Sequence, residues 1–389
     1  MIPSGIPRLD SFLGGGIPKG KTIMYLIQPE VEGEIFGMQT LYKNLEEGRK
    51  GVFITTKSDP QIIKENFEKY GWDISKYGDK LIFVDAYSSL IGSESDAQYL
   101  IKNPDDINSY DCIIKEIVEE SEAIVTFGSL SSIIDLCGDD AIKHVEEWNK
   151  MFNANNAIGV YNFTNWPYSE EVKTKLNEIM NAVIRVGGIG ERVILGQYYG
   201  ILKADWLEKA KGNLMFKIAE PGGVKAFIPK VLVTGPFNAG KSTFVRSLST
   251  RSVSVDRMGT TVALDKGHIE YEDITADIFG TPGQERFDPI LKFIANEAMG
   301  VFLIIDSTKP ESFPRAKSML EKTRAKGLPL IVVANKQDIK NALSIEEIRE
   351  KMKLPESIEI VPTDSVKKKG IFEAFEILIK KIERSDEGF

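Results

Sequence analysis

Gly235-Pro236-Phe237-Asn238-Ala239-Gly240-Lys241-Ser242 is the stretch on which the reading of this chain turns. Ahead of it, Lys230-Val231-Leu232-Val233-Thr234 is an apolar run that predicts a buried strand. Behind it, Ser242 to Leu248 predicts the start of a helix. A GxxxxGK[ST] loop between strand and helix is suited to cradling a phosphate. Gly235 and Gly240 let backbone N–H groups curl inward with no Cβ in the way, and Asn238 and Ala239 complete the loop. The helix start at Ser242-Thr243 adds the partial positive charge of its N–H groups. Lys241 supplies a point charge for the outer phosphates, and the Ser242 hydroxyl is an oxygen ligand for magnesium.

Three further stretches follow in order. Gly259-Thr260-Thr261-Val262-Ala263-Leu264-Asp265 lies at a distance suited to a switch segment, whose threonine hydroxyl closes on magnesium when a γ-phosphate is present. Asp277-Ile278-Phe279-Gly280-Thr281-Pro282-Gly283-Gln284-Glu285-Arg286-Phe287 is the next, and Leu328 to Asp338 is a buried-strand pattern ending in Asn335-Lys336-Gln337-Asp338. Together they resemble the Ras-like small GTPases over 229–389.

The resemblance implies Thr261, rather than Thr260, as the second magnesium ligand, because Thr261 to Asp265 spells the Thr-x-x-x-Asp pattern of Rab-type proteins. Two registers compete in the next run. Asp277 to Gly280 spells DxxG, whereas Thr281 to Phe287 is similar to the Thr-Ala-Gly-Gln-Glu-Arg-Phe run of Ras and Rab proteins. We adopt the second, in which Gly283 meets the γ-phosphate and Gln284 orients the attacking water. The metal-shell aspartate then falls on Gly280, a departure shared with MglA-like prokaryotic GTPases. In the last run the resemblance implies that Asp338 accepts from the ring N–H and exocyclic amine of guanine. Adenine lacks that donor pair, so a buried carboxylate rejects it. Lys336 lies along the base, and Asn335 ties the loop to the phosphate side. Pro362-Thr363-Asp364-Ser365 is similar to a looser fifth motif that sets Ser365 near the base carbonyl.

Upstream, strands and helices alternate. Strands are predicted at 22–27, 51–55, 81–86, 123–127 and 158–162, and helices at 35–46, 60–70, 107–120, 141–152 and 170–180. Such alternation implies a mostly parallel α/β sheet with helices on both faces. Short strands at 183–186, 192–196, 198–203 and 214–218 read as hairpins completing one edge, and Pro221-Gly222-Gly223 with Pro229 marks a domain boundary. Ser4-Gly5-Ile6-Pro7-Arg8-Leu9-Asp10, Gly14-Gly15-Gly16-Ile17-Pro18-Lys19-Gly20, Leu41-Tyr42 and Gly71-Trp72-Asp73-Ile74 resemble the KaiC-like branch of the RecA ATPases over 1–228. The chemistry of that family is missing. Its loop lysine falls on Gly33 and its Ser/Thr on Glu34; its acidic pair falls on Lys57 and Ser58, and its metal-directing aspartate on Gly128. Glu30, Glu32 and Glu34 would repel phosphates at a screening length of ~8 Å. The first half therefore reads as a pseudo-ATPase, with a metal site on those three glutamates as the competing reading.

The whole is 389 residues with a formal net charge of -8, which argues against nucleic acid held by a broad basic face. Cys112 and Cys137 lack ligand spacing and read as reduced core residues; His144 and His268 read as isolated structural residues. Lys367-Lys368-Lys369 reads as a solvated loop. No segment has the length and apolarity of a membrane span, and a cytoplasmic location is expected. The expectation is a GTP/GDP switch using Mg2+, with Gln284, Lys241 and Thr261 as its working residues. No arginine finger is assigned, Arg257 and Arg286 being surface candidates. Effector, exchange and activating proteins are its implied partners, the first half serves as a scaffold or homo-oligomerisation module, and an archaeal source is implied. A GTP-loaded binding module without turnover, and a RecA-type ATPase assembly, are the alternatives.

Overall fold

The computed structural model of the chain describes residues 1–119, 122–189, 196–210, 212–255, 264–272, 274–281, 283, 298–324 and 327–384. Backbone contacts divide it into two compact units, Met1–Ala226 and Phe227–Phe389.

In the first unit the central parallel strands are largely apolar because both faces are covered. Thr22–Ile27 and Ile158–Thr164 are buried almost along their whole lengths. From one edge the order runs Tyr99–Leu100, Leu81–Asp85, Gly51–Thr55, Ile124–Phe127, Ile158–Thr164, Thr22–Ile27 and Ala182–Ile189, each pair parallel. Gly196–Ala204, Asn213–Ala219 and the start of Gly223–Thr234 then extend the sheet as antiparallel strands, as the hairpin reading expects. One sequence-predicted strand, 192–196, falls mainly outside the described residues; its last residue opens the Gly196–Ala204 strand. The helix Leu130–Cys137 was not anticipated from sequence. Its start is fixed by Ser129, whose side chain accepts from the Ser132 N–H. Trp148, Phe127 and Tyr161 stack in the core beneath it.

One small expectation fails here: Cys112 is exposed, whereas the half-buried Cys137 packs against the core. Each histidine is held by one aspartate, His144 Nδ1 lying 2.8 Å from Asp111 and His268 Nδ1 2.7 Å from Asp277.

In the second unit the order is Arg251–Val255, Leu264–Tyr271, Ile274–Gly280, Gly223–Thr234, Gly300–Asp306, Leu330–Asn335 and Glu359–Pro362. The first three are antiparallel, and the last four are parallel through Val231–Thr234. The buried strands Gly300–Asp306 and Leu330–Asn335 bring their carboxyl ends to the same edge as Thr234. Ligand sites of open α/β sheets form at that edge. Among the described residues, no helix is long and apolar enough to cross a membrane.

Candidate functional site

The strand Gly223–Thr234 ends at the phosphate loop, and the helix Lys241–Leu248 begins where the loop closes. Gly240 caps that helix in the left-handed region, at φ 97°, and Asn238 shares that conformation at φ 63°. A Cβ on Gly240 would stand 2.3 Å from Asn335 Nδ2, so only glycine fits. Lys241 is buried, and its Nζ donates to the Pro236 carbonyl at 2.7 Å. Burial pushes its ammonium down to about 8; the Asp265 carboxylate pulls the other way, and Arg315 adds to the fall. Ser242 donates to Asp265 Oδ2 at 2.5 Å.

Gly283, not Gly280, lies against this loop. A Cβ on Gly283 would meet the Phe237 N–H nitrogen at 2.5 Å and the Gly235 carbonyl oxygen at 2.7 Å. The adjoining Thr281 is buried and donates from its backbone to the Val233 carbonyl. Asp277, the acid of the rejected register, is engaged with His268 on the neighbouring strand. Thr261 and Gln284, with the surface candidates Arg257 and Arg286, lie outside the described residues.

The Asn335–Asp338 run is tied to the loop after Thr234 by side chains. Asn335 donates from Nδ2 to the Ala239 carbonyl at 3.0 Å. Its Oδ1 accepts from the Ser365 N–H at 3.1 Å and the Ser365 hydroxyl at 2.8 Å. Lys336, at φ 65°, donates to the Asn238 carbonyl at 3.0 Å and to Asp306 at 2.6 Å. Burial raises the Asp306 carboxyl, but Lys336 and Thr308 outweigh it and hold it below the usual carboxylate range. One expectation is corrected: Asp338 is not a buried carboxylate but stands exposed in the turn beyond the end of the strand. Ser365 is buried, and its N–H and hydroxyl both donate to Asn335 Oδ1.

Sequence reasoning gave no role to Asp265 or Asp306. Both contacts join segments far apart in sequence. The only local signal for Asp265 was the Thr-x-x-x-Asp spacing; Asp306 was the lone acid closing an apolar strand.

In the first unit, the corresponding strand end opens on a cavity of about 420 Å³ lined by Val31, Glu32, Glu34, Lys57, Gly128 and Trp166 among others. Glu34 and Lys57 occupy positions where a Ser/Thr and an acid were expected, and they form an ion pair at 2.5 Å. The Val31 N–H donates to the Gln28 carbonyl and the Gly33 N–H to the Val31 carbonyl, so the loop closes on itself. Among the described residues, no group of three or more His, Cys, Asp or Glu could hold a metal ion.

Comparisons with known proteins divide the chain in the same way. The ATPase family model "KaiC" matches residues 2–227, and the ADP-ribosylation factor family model matches residues 224–382. A UPF0273 protein of Methanopyrus kandleri is 34% identical over 125 residues, which are 31% of this chain and 50% of that protein. ADP-ribosylation factor-related protein 1 of Rattus norvegicus is 33% identical over 129 residues, 31% of this chain and 64% of that protein. Thus the chain spans about half the length of the first curated relatives it matches. A solved KaiC-like protein of Pyrococcus horikoshii superposes with a TM-score of 0.47 at 20% identity, covering 58% of this chain and 97% of that one.

Proposed function

The chain belongs to the KaiC ATPase family through residues 2–227 and carries an ADP-ribosylation-factor-type segment at 224–382, and from that premise we propose that it is a guanine-nucleotide switch. Nucleotide is bound in the second unit, and the first is a non-catalytic scaffold. The observation that carries this reading is the Asn335–Lys336 knot. It ties the phosphate loop, through the Ala239 and Asn238 carbonyls, to the run holding Asp338, while Asn335 also holds the Ser365 loop. A phosphate-binding loop and a base-reading carboxylate are thereby held in fixed relation, as selection of one nucleoside triphosphate requires.

In this reading Lys241 and the loop amides hold the phosphate charge, and Asp338 selects guanine. Gln284 orients a water whose oxygen bonds to the γ-phosphorus as the bridge to the β-phosphate breaks, giving GDP and phosphate. The donor set suits magnesium, because the Ser242 hydroxyl and the carboxylate touching it are hard oxygen ligands. Ser242 and Thr261 would hold the ion, which when bound neutralises charge on the β- and γ-phosphate oxygens. An arginine supplied by a partner is worth ~10³ to 10⁵ in rate, so hydrolysis by the chain alone is slow.

The first unit supports the scaffold reading by its reversed charges. Gly33 stands where the loop lysine would be, and Glu34 beside it presents a carboxylate already paired with Lys57. Mass spectrometry of nucleotide retained by the full-length protein tests the whole reading. Guanine nucleotide is expected, and adenine nucleotide alone would overturn it. The binding-module alternative is favoured by Gly280 standing where an acid was expected. Single-turnover hydrolysis by the wild type and Gln284→Leu decides between them: GTP left intact by both would favour the module.

A further inference from the structure

Asp265 and Gly280 are registered partners on antiparallel neighbours, the strands Leu264–Tyr271 and Ile274–Gly280. There is room for one side chain between them. A Cβ on Gly280 would stand 3.0 Å from the Asp265 Cβ, tighter than nine in ten real Cβ contacts, and 3.4 Å from both Asp265 Oδ2 and Val245 Cγ2. The carboxylate that does occupy this space reaches across to the first turn of the phosphate-loop helix, where Oδ2 accepts from the Ser242 hydroxyl at 2.5 Å. We propose that Asp265 supplies the metal-shell carboxylate that position 280 lacks, the acid having moved from one strand to the facing position on its neighbour.

Two observations converge on this. Ser242 is the residue proposed to hold magnesium, and an acid acting on the metal from outside its direct ligands must lie one hydrogen bond from them. Asp265 meets that condition, whereas Asp277, the other acid near this place in sequence, is turned to His268. The move has a consequence for switching. Asp265 is four residues from Thr261, so both metal-directing groups ride on one segment. The run carrying Gly283 and Gln284 is left to attend to the γ-phosphate and the water.

This assignment rests on the guanine-nucleotide reading, and the experiment separates the two. Release of mant-GDP from the full-length protein is timed in excess magnesium and after chelation with EDTA. In the wild type, chelation should speed release about tenfold or more, the usual scale on which metal-shell groups act. Asp265→Asn keeps the size of the side chain and a polar contact to Ser242, yet should bring the two rates to within about twofold of each other. The reciprocal exchange Asp265→Gly with Gly280→Asp should restore the wild-type ratio, because the two positions share one space. An aspartate that merely braced Ser242 would leave the ratio unchanged in Asp265→Asn while lowering thermal stability. That result, or failure of the exchanged variant to regain chelation sensitivity while still binding mant-GDP, overturns the assignment. If the wild-type protein binds no mant-GDP at all, the nucleotide reading falls and this one with it.

Discussion

The two units place a loop at the same point, between a buried strand and the helix after it, and use it in opposite ways. After Thr22–Ile27, the loop turns its N–H groups onto its own carbonyls and leads into a helix whose first flanking residue, Glu34, makes no side-chain cap. After Gly223–Thr234, the loop passes through two left-handed residues, Asn238 and Gly240, and presents a buried lysine. Both units nonetheless keep their parallel sheets, because the apolar runs and covering helices set the sheet. The loop residues at a strand end can thus differ widely under one kind of sheet, because few side chains make the loop and many make the core.

The largest effect is expected from Lys241→Ala, which should weaken GTP binding by the full chain on the order of 10³-fold in equilibrium binding, as for truncating one partner of a buried charge pair. Residual tight binding of any nucleoside triphosphate would place a second working site in the first unit. Asp338→Asn should cost on the order of 10² in guanine affinity, from two charge-assisted hydrogen bonds at about 1.5 kcal/mol each. Competition of GTP against ATP and XTP reads this directly. Gln284→Leu should slow single-turnover hydrolysis by about 10²-fold, the low end of the range for positioned proton-transfer groups, while leaving GTP affinity within about twofold.

A pH titration of binding is smaller and belongs to the second unit alone. Free Lys241 is held down to about 8 by burial. A bound triphosphate favours the charged form and so raises that value. Affinity should therefore be full below pH 8 and fall as pH rises through it, by up to about tenfold per unit. Isothermal titration between pH 7 and 9 checks the sign. The smallest effect is expected from Lys57→Ala in the first unit, whose partner Glu34 is 46% exposed. Thermal unfolding should shift by less than about 1 kcal/mol, with GTP hydrolysis unchanged.

How much of this was legible in sequence depends on distance along the chain. The parallel strands were readable because strands buried on both faces carry apolar runs, as in Gly51–Thr55 and Leu330–Asn335. The helix Leu130–Cys137 was missed because Ser131, Ser132 and Asp135 interrupt its apolar residues, and eight residues are too few to show a helical period. The exposure of Asp338 was likewise hidden, since a sequence shows the strand before it but not where the following turn points.

The sequence alone places the GxxxxGK[ST] loop, the Thr-x-x-x-Asp and Pro-Gly-Gln runs and the Asn-Lys-x-Asp string in one half, and in the other half it has Gly33 and Glu34 where a loop lysine and Ser/Thr were expected. Each of those features is a contiguous string whose spacing carries the chemistry. The tertiary structure alone decided that Asp265 faces Gly280 and reaches Ser242, that Asp306 fixes Lys336, and that Asn335 joins the phosphate loop to Ser365. These are contacts between residues separated by tens of positions. Strand register and the crossing of helix over sheet bring them together, and no local pattern in a chain encodes which distant partner a side chain will meet.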